Sequence, residues 1–395
     1  MKVKSVLYVH DHKFKYINNK YFSEGKFTND VFARYGVFDK DINVISRVVC
    51  DDESINFNEI NKPNVHFTPV KGIGFSSIFS KNLIFNLKLV QNSIKNAEAL
   101  IIRLPSFLGV FVLLVNLLFR KKYFIELVGD PKEALSTSKV KANIVFNIFV
   151  YIFTFLNKIF VRHANGVIYV TKTDLQQRYP TRGFEASASN VQIKVPVLNL
   201  CLSDYAIKNT NFIKLGLIGS FNNEYKGIRN AIEAIVHLRE KQLDVHLHIL
   251  GSGKLKLHYL HLAKELGISD QIFFDGSLAG GEQVLQWLRQ QDIYIQPSLT
   301  EGLPRALIEA MSVGLPAVGT NVGGIPELLL EDDLVAVNDS EALADRLYIL
   351  AVSQELRYKK GRRNHKVAWD YDADKLNQER TQFWKKAAEV VNGKK

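Results

Sequence analysis

TEGLPRALIEAMSVGLPAVGTNVGGIPELL, residues 300–329, is the stretch from which the fold can be predicted. The apolar run before it predicts a strand, and residues 305–313 predict a helix. Between them lies a turn that contains Gly302, Leu303 and Pro304. In parallel α/β sheets this order of strand, turn and helix places ligands beyond the carboxyl end of the strand. The free N–H groups and the dipole at a helix start favour a phosphate there.

Two carboxylates flank the predicted helix start. Glu301 lies in the turn, and Glu309 follows about two turns along the helix. Carboxylates accept paired hydrogen bonds from neighbouring hydroxyls. A diphosphate at the helix start would therefore have one carboxylate near its sugar and the other near its ribose. The spacing suits a nucleotide-sugar, although two glutamates are also common on an ordinary surface helix.

The composition indicates a globular protein with two domains and anionic partners. The 395 residues are too many for one ordinary core, and 47% hydrophobic with 23% charged residues excludes disorder as the default. The net charge of +11 favours a nucleotide, a phospholipid surface, a lipid diphosphate or a nucleic acid as partner. Cys50 and Cys201 provide no disulfide framework, and the N-terminal apolar run is too short for a signal peptide, so the reducing cytoplasm is favoured.

The N-terminal half alternates short β-rich runs with helical patterns, which predicts βαβ units. The first strand is predicted over residues 5–9, and a long polar and aromatic loop over residues 13–29. Between them lie His10, Asp11 and His12, which are potential metal ligands. Because no further His or Cys follows at ligand spacing, a polar loop that builds a site is favoured over a metal.

Two apolar segments bear on membrane contact. Residues 107–119 fall short of the roughly 20 residues that span a bilayer. Residues 142–161 are long enough but are interrupted by a narrow polar stripe. The segment is either a helix buried in the fold or a face, with Phe149 and Phe153 on it, that docks on an anionic membrane. A transmembrane span is the least favoured alternative. The stripe consists of Asn143, Asn147, Thr154 and Lys158.

Residues 212–219 predict another strand, which runs into a loop with Ser220 and Lys226 and then into a helix. Together with residues 300–329, this pattern resembles the family-four (group 1) retaining glycosyltransferases, densely over residues 215–337 and thinly before them. The resemblance implies the GT-B fold, an α/β architecture of two Rossmann-like doubly wound domains that face each other across a cleft.

The resemblance also implies a division of the chain. Residues 1–203 would form the acceptor-binding domain and residues 204–369 the donor-binding domain, with a C-terminal helix in 370–395 that crosses back onto the first. Acidic residues at 370, 372 and 374 are interpreted as caps of that helix rather than as metal ligands. Its expected aromatic anchors are Trp369, Phe383 and Trp384.

By resemblance, Lys226 holds the donor diphosphate, Glu301 positions the donor sugar and Glu309 binds the ribose. The family often has an arginine where this chain has Ser220, and serine carries no charge and donates only one hydrogen bond. No metal and no cofactor is expected, because Lys226 and the helix start can stabilise the leaving diphosphate. The further donor-binding residues are predicted to be Gly219, Ser220, Gly276, Gly302, Leu303, Pro304, Arg305 and Ala306.

The first domain departs from the family pattern. A histidine often stands near the end of the strand predicted over residues 123–128 and faces the donor sugar. Here Val128 or Gly129 takes that place, and Asp130 is the nearest polar residue. Asp130 is therefore predicted as a catalytic residue, with an Asp-Pro turn opener as the alternative. No general base is assigned.

The expected activity is the transfer of a sugar from a nucleoside diphosphate, UDP in preference to GDP, with retention and without a covalent nucleophile. By resemblance, the acceptor is a glycan linked to undecaprenyl diphosphate or another carrier. The setting would be capsule, exopolysaccharide or lipopolysaccharide assembly in the cytoplasm, at the inner face of an anionic membrane.

Other classes of protein stay open as alternatives. A GT-B-like sugar-nucleotide epimerase or hydrolase would share the donor site but would need an acid/base pair in the first domain. A nucleic-acid-binding protein would cluster its cations on one surface, whereas here Lys and Arg are scattered along the chain, so no nucleic-acid partner is expected. A periplasmic binding protein is disfavoured because no signal peptide is recognised.

Overall fold

The chain forms two compact units. Its computed structural model describes residues 5–23, 27–50, 57–75, 77–136, 144–207 and 212–393. The first unit comprises Met1–Asn190 and Asn377–Lys395, and the second comprises Val191–Leu376.

The second unit begins earlier than the predicted boundary at 203/204. Ile193 and Val195 are buried in its core, and the Val195 N–H donates to Asp372 Oδ2 at 3.3 Å. This segment has little regular secondary structure, so its sequence carries no periodic signal of its packing. The division of function between the units stays a prediction.

The first unit is built on a mainly parallel sheet. Its strands are β1 (Ser5–Ile17), β2 (Lys20–Ser23), β3 (Asp41–Cys50), β4 (Asn58–Ile60), β5 (Val65–Val70), β6 (Ala97–Leu104), β7 (Lys122–Leu127), β8 (Gly166–Tyr169) and β9 (Phe184–Ser187). The parallel order is β5-β3-β1-β6-β7-β8-β9, with β2 antiparallel to β1 and β4 antiparallel to β2. The predicted βαβ alternation is confirmed.

The predicted long loop over residues 13–29 is wrong at its start. After an irregularity between Val9 and Lys13, β1 continues beside β3 and then turns back into β2. Phe14 is buried, which explains why the chain stays in the sheet. Asn18 and Asn19 have φ of 49° and 63°, the left-handed conformation that a two-residue hairpin turn requires.

Helices cover this sheet. They are α1 (Asn29–Ala33), α2 (Leu83–Asn96), α3 (Phe107–Phe119), α4 (Pro131–Ser136), α5 (Ile144–His163) and α6 (Asp174–Arg178). None of the helices in the described ranges is long and apolar enough to cross a membrane.

The orientation of α5 corrects the predicted docking residues. Phe153 is buried, with its ring centroid 4.5 Å from that of Phe107, and Phe149 is half-buried 5.6 Å from the same ring. The opposite side of α5 is exposed at Ile148 and Ile152. Both faces of this helix are apolar, so the sequence pattern did not say which one meets the sheet. Of the predicted polar stripe, Asn143 lies outside the described residues.

The second unit is an all-parallel sheet. Its strands are β10 (Ile213–Ile218), β11 (Val245–Leu250), β12 (Ile272–Gly276), β13 (Ile293–Gln296), β14 (Ala317–Thr320) and β15 (Leu334–Val335). The order β12-β11-β10-β13-β14-β15 is a doubly wound order, in which successive strands are added toward one edge of the sheet up to β12 and toward the other edge from β13 onward. Its helices are α7 (Ile228–Glu240), α8 (Lys256–Glu265), α9 (Glu282–Arg289), α10 (Arg305–Ser312), α11 (Ser340–Val352) and α12 (Gln354–Ala368).

The last helix, α13 (Ala373–Val391), belongs mostly to the first unit. Asp372 Oδ1 accepts the Asp374 N–H at 3.0 Å, which confirms the predicted cap. Trp384 is fully buried, 5.0 Å from the ring of Tyr35. Trp369 was predicted as a third anchor beside Phe383 and Trp384, but it precedes the helix and its indole is partly exposed.

Candidate active site

The candidate site lies at the carboxyl edge of the second unit's sheet. Strands β10 and β13 are neighbours there, paired through Leu215 with Ile293 and Gly216 with Tyr294. They are also the two strands between which the strand order reverses, and ligands of open α/β sheets bind beyond the carboxyl ends at that point. The loops that follow these two strands, residues 219–227 and 297–304, carry most of the predicted site residues.

An ion pair joins the two loops. Lys226 Nζ lies 2.6 Å from Glu301 Oε2, and both side chains are mostly buried. The same carboxylate oxygen accepts hydrogen bonds from Gln296 Nε2 at 3.2 Å and Ser298 Oγ at 3.1 Å. Within the described residues, Oε1 of Glu301 accepts no hydrogen bond. One oxygen of the carboxylate is thus held firmly, and the other is available to a ligand.

Buried polar groups behind the ion pair orient it. Tyr294 Oη donates to Gln296 Oε1 at 2.9 Å, which turns the amide nitrogen of Gln296 toward Glu301. Thr320 Oγ1 donates to the carbonyl of Ser298 at 2.6 Å. Burial raises the pKa of Tyr294, so its phenol remains a hydrogen-bond donor at neutral pH. This network fixes the carboxylate before any substrate binds.

The first loop depends on two glycines. A Cβ on Gly219 would lie 2.8 Å from Cγ of Lys226, so glycine leaves room for the lysine side chain. Gly227 has φ of 66°, and a Cβ there would lie 1.7 Å from the carbonyl oxygen of Pro297. The backbones of the two loops therefore touch directly behind Lys226.

The second loop is held from the other side. The Gly324 N–H donates to the carbonyl of Gly302 at 2.8 Å. Gly323 has φ of 54°, and a Cβ there would lie 1.7 Å from the carbonyl oxygen of Glu301. The Gly323-Gly324 pair in the quoted stretch thus permits the close approach that positions Glu301.

Helix α10 begins at the end of the second loop. Pro304 occupies its N-cap, and no side chain caps it, so its first N–H groups and positive dipole end can accept a phosphate. Glu309 Oε1 accepts a hydrogen bond from Arg305 Nε at 2.9 Å, one helical turn away. Glu309 is buried, whereas about half of the Arg305 side chain is exposed.

Glu301 and Glu309 both interact electrostatically with the buried phenol of Tyr294. After desolvation, the charges of Glu301 and Glu309 are among the causes that raise the pKa of Tyr294. Because such interactions weaken with distance, the two carboxylates flank a common region of the sheet edge. That Glu301 lies near a donor sugar and Glu309 near a ribose stays a prediction.

Two further predicted residues lie on neighbouring strand ends. Ser220 follows β10, and its Oγ donates to the carbonyl of Ser252 at 3.4 Å. Gly276 ends β12 with φ of 78°, and its carbonyl accepts the Gly251 N–H at 2.6 Å. Both stand at the carboxyl edge, but contact with a nucleotide stays a prediction for each of them.

Asp130 lies in the first unit, at the start of α4. Its Oδ1 accepts the Lys132 N–H at 2.6 Å, the geometry of the turn opener that was the alternative interpretation. Its Oδ2 accepts from Tyr179 Oη at 3.0 Å and pairs with Arg178. The carboxylate is buried and well bonded, so its predicted catalytic role rests on the resemblance alone.

The His10-Asp11-His12 segment has other partners than a metal. Asp11 accepts the N–H groups of Phe107 and Leu108 at 2.6 and 3.2 Å and so caps α3. His12 Nε2 lies 2.9 Å from Oγ of Ser23. Burial, and then the charge of Arg103, lower the pKa of His10 well below its usual value.

Sequence reasoning missed the residues that support the ion pair. The sequence analysis assigned no role to Gln296, Ser298, Tyr294 or Thr320. A usable signal was present, since Gln296 is a polar residue at the end of an otherwise apolar, fully buried strand. A buried polar side chain needs a hydrogen-bond partner, and here that partner is Glu301.

The sequence matches a known protein family and resembles individual known proteins. The family model of glycosyl transferases group 1 matches residues 206–367. Protein CapJ of Staphylococcus aureus is 31% identical over 391 residues, which cover 98% of this chain and 96% of CapJ. The putative colanic acid biosynthesis glycosyltransferase WcaL of Escherichia coli (strain K12) is 35% identical over 167 residues, which cover 40% of this chain and 41% of WcaL.

Solved structures match over the whole chain. Anabaena HepE, solved in complex with UDP, has a TM-score of 0.62 at 14% identity and covers 99% of this chain and 100% of its own. Sucrose-phosphate synthase from Thermosynechococcus elongatus has a TM-score of 0.61 at 15% identity, with 98% and 100% covered. At such low identity the likeness shows the fold alone, and it confirms the predicted GT-B fold.

Proposed function

Because this chain belongs to the group 1 glycosyltransferases, we propose that it transfers a sugar from a nucleoside diphosphate to a lipid-linked glycan during assembly of a bacterial surface polysaccharide. The observation that carries the proposal is the Lys226–Glu301 ion pair, placed where the strand order reverses. CapJ, WcaL and the amylovoran biosynthesis glycosyltransferase AmsK support the polysaccharide setting by their names. UDP is favoured over GDP, since HepE was solved with UDP.

The donor is held by charge and by oriented hydrogen bonds. Lys226 and the N–H groups at the start of α10 bind the diphosphate, with Arg305 beside them. Glu309 accepts the ribose hydroxyls, and Oε1 of Glu301 accepts hydroxyls of the donor sugar. Gly302, Leu303 and Pro304 bring the backbone close to the diphosphate. The preorganised network behind Glu301 makes this positioning rigid.

The reaction needs little from side chains. The bond between the anomeric carbon and the diphosphate oxygen breaks, and the acceptor oxygen bonds to that carbon on the same face, which retains the configuration. The acceptor proton passes to the departing diphosphate oxygen. Lys226 and the helix dipole stabilise the charge that develops on the leaving group, and no metal is required. The catalytic role of Asp130 stays a prediction, and its carboxylate is bonded to Arg178 and Tyr179.

Three helices of the first unit present a face suited to an anionic membrane. Helices α2, α3 and α5 contain no Asp or Glu. Their exposed positions combine large apolar residues with cations, as a surface needs that inserts below lipid headgroups and pairs with their phosphates. The apolar residues are Ile84, Phe85, Leu114, Leu117, Leu118, Ile144, Ile148, Tyr151, Ile152 and Phe155, and the cations are Lys88, Lys95, Lys158 and Arg162.

Helix α3 packs against both α2 and α5. The rings of Phe107 on α3 and Phe149 on α5 lie 5.6 Å apart, and both pack against Phe75 in the segment before α2. An exposed apolar area of this extent indicates an interaction site, and its positive charge favours anionic lipid. This face would hold the enzyme at the inner surface of the cytoplasmic membrane, next to an acceptor carried on undecaprenyl diphosphate or a similar lipid.

The donor assignment is tested by calorimetric binding of UDP, GDP and ADP, with and without magnesium. Selective binding of UDP that does not depend on magnesium is expected. The protein is then incubated with a nucleotide-sugar of the nucleotide that it binds and with a polyprenyl-diphosphate-linked glycan. NMR of the product reports the anomeric configuration. Binding of none of the three nucleotides, or a product of inverted configuration, would contradict the proposal.

A further inference from the structure

A second groove lies in the second unit, apart from the strand ends that carry the ion pair. Its volume is about 720 Å³. One wall is the extended segment 197–200, and the other is a face of α12 that continues to Trp369. No residue of the loops 219–227 and 297–304 lines it, and sugar transfer as proposed above gives it no role.

The helix wall of this groove is cationic. Lys359, Arg362 and Lys366 are spaced three and four residues apart, so they share one face of α12, and all three are exposed. Arg362 is held in place, because its Nη1 donates to Tyr358 Oη at 3.0 Å and the guanidinium lies 5.3 Å from the centre of that ring. Glu355, at the far end, is the one carboxylate among the described residues that line the groove. The groove therefore attracts anions.

An aromatic platform stands at the end of the cationic row. The Trp369 Nε1–H donates to His365 Nε2 at 3.4 Å. His365 is fixed in turn, because its Nδ1 lies 2.7 Å from the carbonyl oxygen of Ser312 and must carry the proton. The indole of Trp369 is 38% exposed, yet this relay holds it in one orientation. An immobilised, exposed indole is a surface on which a flat apolar ligand face stacks without losing side-chain freedom.

We infer that this groove binds an anionic carbohydrate, with a sugar ring stacked on Trp369 and carboxylate or phosphate groups paired with Lys359, Arg362 and Lys366. The cationic row on α12 together with the exposed indole of Trp369 indicates the ligand class. Single-stranded nucleic acid is bound by several stacking aromatics along a basic track, whereas the groove offers one exposed indole. The choice of carbohydrate rests on the proposed function, since the glycan under assembly is the carbohydrate at hand. The groove then retains the growing glycan between transfers, and it does not contact the donor nucleotide-sugar.

Tryptophan fluorescence tests this inference on the full chain. Of the three tryptophans, Trp287 is 7% and Trp384 0% exposed, so acrylamide quenches mainly Trp369. An oligogalacturonate is expected to protect Trp369 from quenching, with a neutral malto-oligosaccharide and inorganic polyphosphate as comparisons. No protection by the oligogalacturonate would overturn the inference. Equal protection by the neutral sugar would remove the role of the cations, and equal protection by polyphosphate would remove the role of the sugar ring.

Matched variants locate the site. Arg362→Gln/Lys366→Gln is expected to weaken calorimetric binding of the oligogalacturonate by about 10- to 100-fold. The control Lys256→Gln/Lys264→Gln removes two exposed charges from α8 and should leave binding nearly unchanged. Equal losses of affinity in both double variants would show that the oligogalacturonate is attracted to the basic protein in general. That result would overturn the assignment of the groove as its binding site. In each variant, intact UDP binding shows that the fold and the donor site persist. In the unsubstituted protein, failure to bind the oligogalacturonate while UDP still binds contradicts the groove alone and leaves the proposed function in place.

Discussion

The ammonium group of Lys226 lies 2.6 Å from Oε2 of Glu301, which makes the two predicted donor-binding charges partners of each other. A change in either residue therefore alters the electrostatic environment of the other. Glu301→Gln keeps the shape and removes the charge, so Lys226 becomes a stronger partner for a diphosphate. Affinity for free UDP should hold or rise while kcat with the UDP-sugar falls at least tenfold. Calorimetry and initial rates check this, and a parallel fall in UDP affinity would contradict it.

Lys226→Gln should have the opposite signature. Removal of a charged partner that is mostly buried costs about 1.5–3 kcal/mol, so UDP affinity should fall about 10- to 100-fold. The control is Lys256→Gln, an exposed lysine on α8. UMP binding should change much less, because Lys226 is assigned to the diphosphate. Unchanged affinity for UDP would remove Lys226 from the site.

Glu309→Gln should weaken binding of free UDP, because the ribose hydroxyls lose a charged acceptor. The loss should be about tenfold for UDP and absent for 2′-deoxy-UDP if the 2′-hydroxyl is the partner. Arg305→Gln breaks the same ion pair and leaves the carboxylate in place. Because Arg305 is assigned to the diphosphate, any loss that it causes should be equal for UDP and 2′-deoxy-UDP. An equal loss for both nucleotides in the Glu309 variant would exclude the 2′-hydroxyl as its partner, and unchanged affinity for UDP would contradict the ribose assignment.

Gly227→Ala should disturb both loops. The new Cβ would require φ of 66° and would lie 1.7 Å from the Pro297 oxygen, and the left-handed conformation alone costs about 1–2 kcal/mol. Gly281→Ala is the matched control, because φ is 84° there but no atom lies within 4 Å of the added carbon. Thermal unfolding should show the larger fall in Tm for Gly227→Ala, together with lost UDP binding. Equal shifts in the two variants would contradict a direct contact between the loops.

The membrane face predicts a specific pattern of release. Ile148→Ser/Ile152→Ser/Phe155→Ser changes side chains that are at least half exposed, so the fold should persist. Each loses about 1 kcal/mol of apolar burial in the bilayer, and binding to phosphatidylglycerol vesicles should fall on the order of 100-fold.

A matched triple on the second unit, Leu257→Ser/Ile349→Ser/Val352→Ser, also changes exposed apolar residues and should keep vesicle binding. Sedimentation with vesicles measures both variants. Equal release of the two triples, or binding to neutral vesicles as strong as to anionic ones, would contradict the assigned face.

His10 predicts an acid-sensitive contribution to stability. Burial lowers the pKa of His10 well below 6.5. Below about pH 6.5, His10 therefore binds a proton in the unfolded chain but not in the folded chain. The free energy of unfolding therefore falls as the pH drops, by at most about 1.4 kcal/mol per pH unit from this group. His10→Asn keeps an acceptor for the His12 N–H and should flatten that fall in urea unfolding between pH 7 and 5. An unchanged pH slope would contradict the assignment.

The second unit was predictable because its signals are local. Strand, glycine-bearing turn and helix follow one another within a few residues at Lys226 and again at Glu301, and the structure has those elements there. The contact between the two loops depends on β10 lying beside β13, which no local pattern encodes. The support from Gln296 and Ser298 is local, since both lie within five residues of Glu301, and its signal was the polar Gln296 at the end of a buried strand.

The first unit was harder to predict because its patterns are ambiguous. Residues 10–17 mix polar and aromatic side chains, and only the neighbouring β3 makes them a strand. Helix α5 is apolar on two sides, so periodicity alone could not show that Phe153 faces the core and Ile152 the solvent.

The pairing of β10 with β13 also governs when the site can exist during synthesis. Lys226 leaves the ribosome well before Glu301, with α7, β11, α8, β12, α9 and β13 made in between. Until β13 inserts beside β10, the lysine has no carboxylate, Gly227 has no Pro297 against which to pack, and α10 has not formed. Nucleotide affinity is therefore acquired late and all at once, and a nascent or truncated chain that ends before residue 300 should bind no UDP. The proposed donor site is thus complete only when the sheet of the second unit is nearly complete.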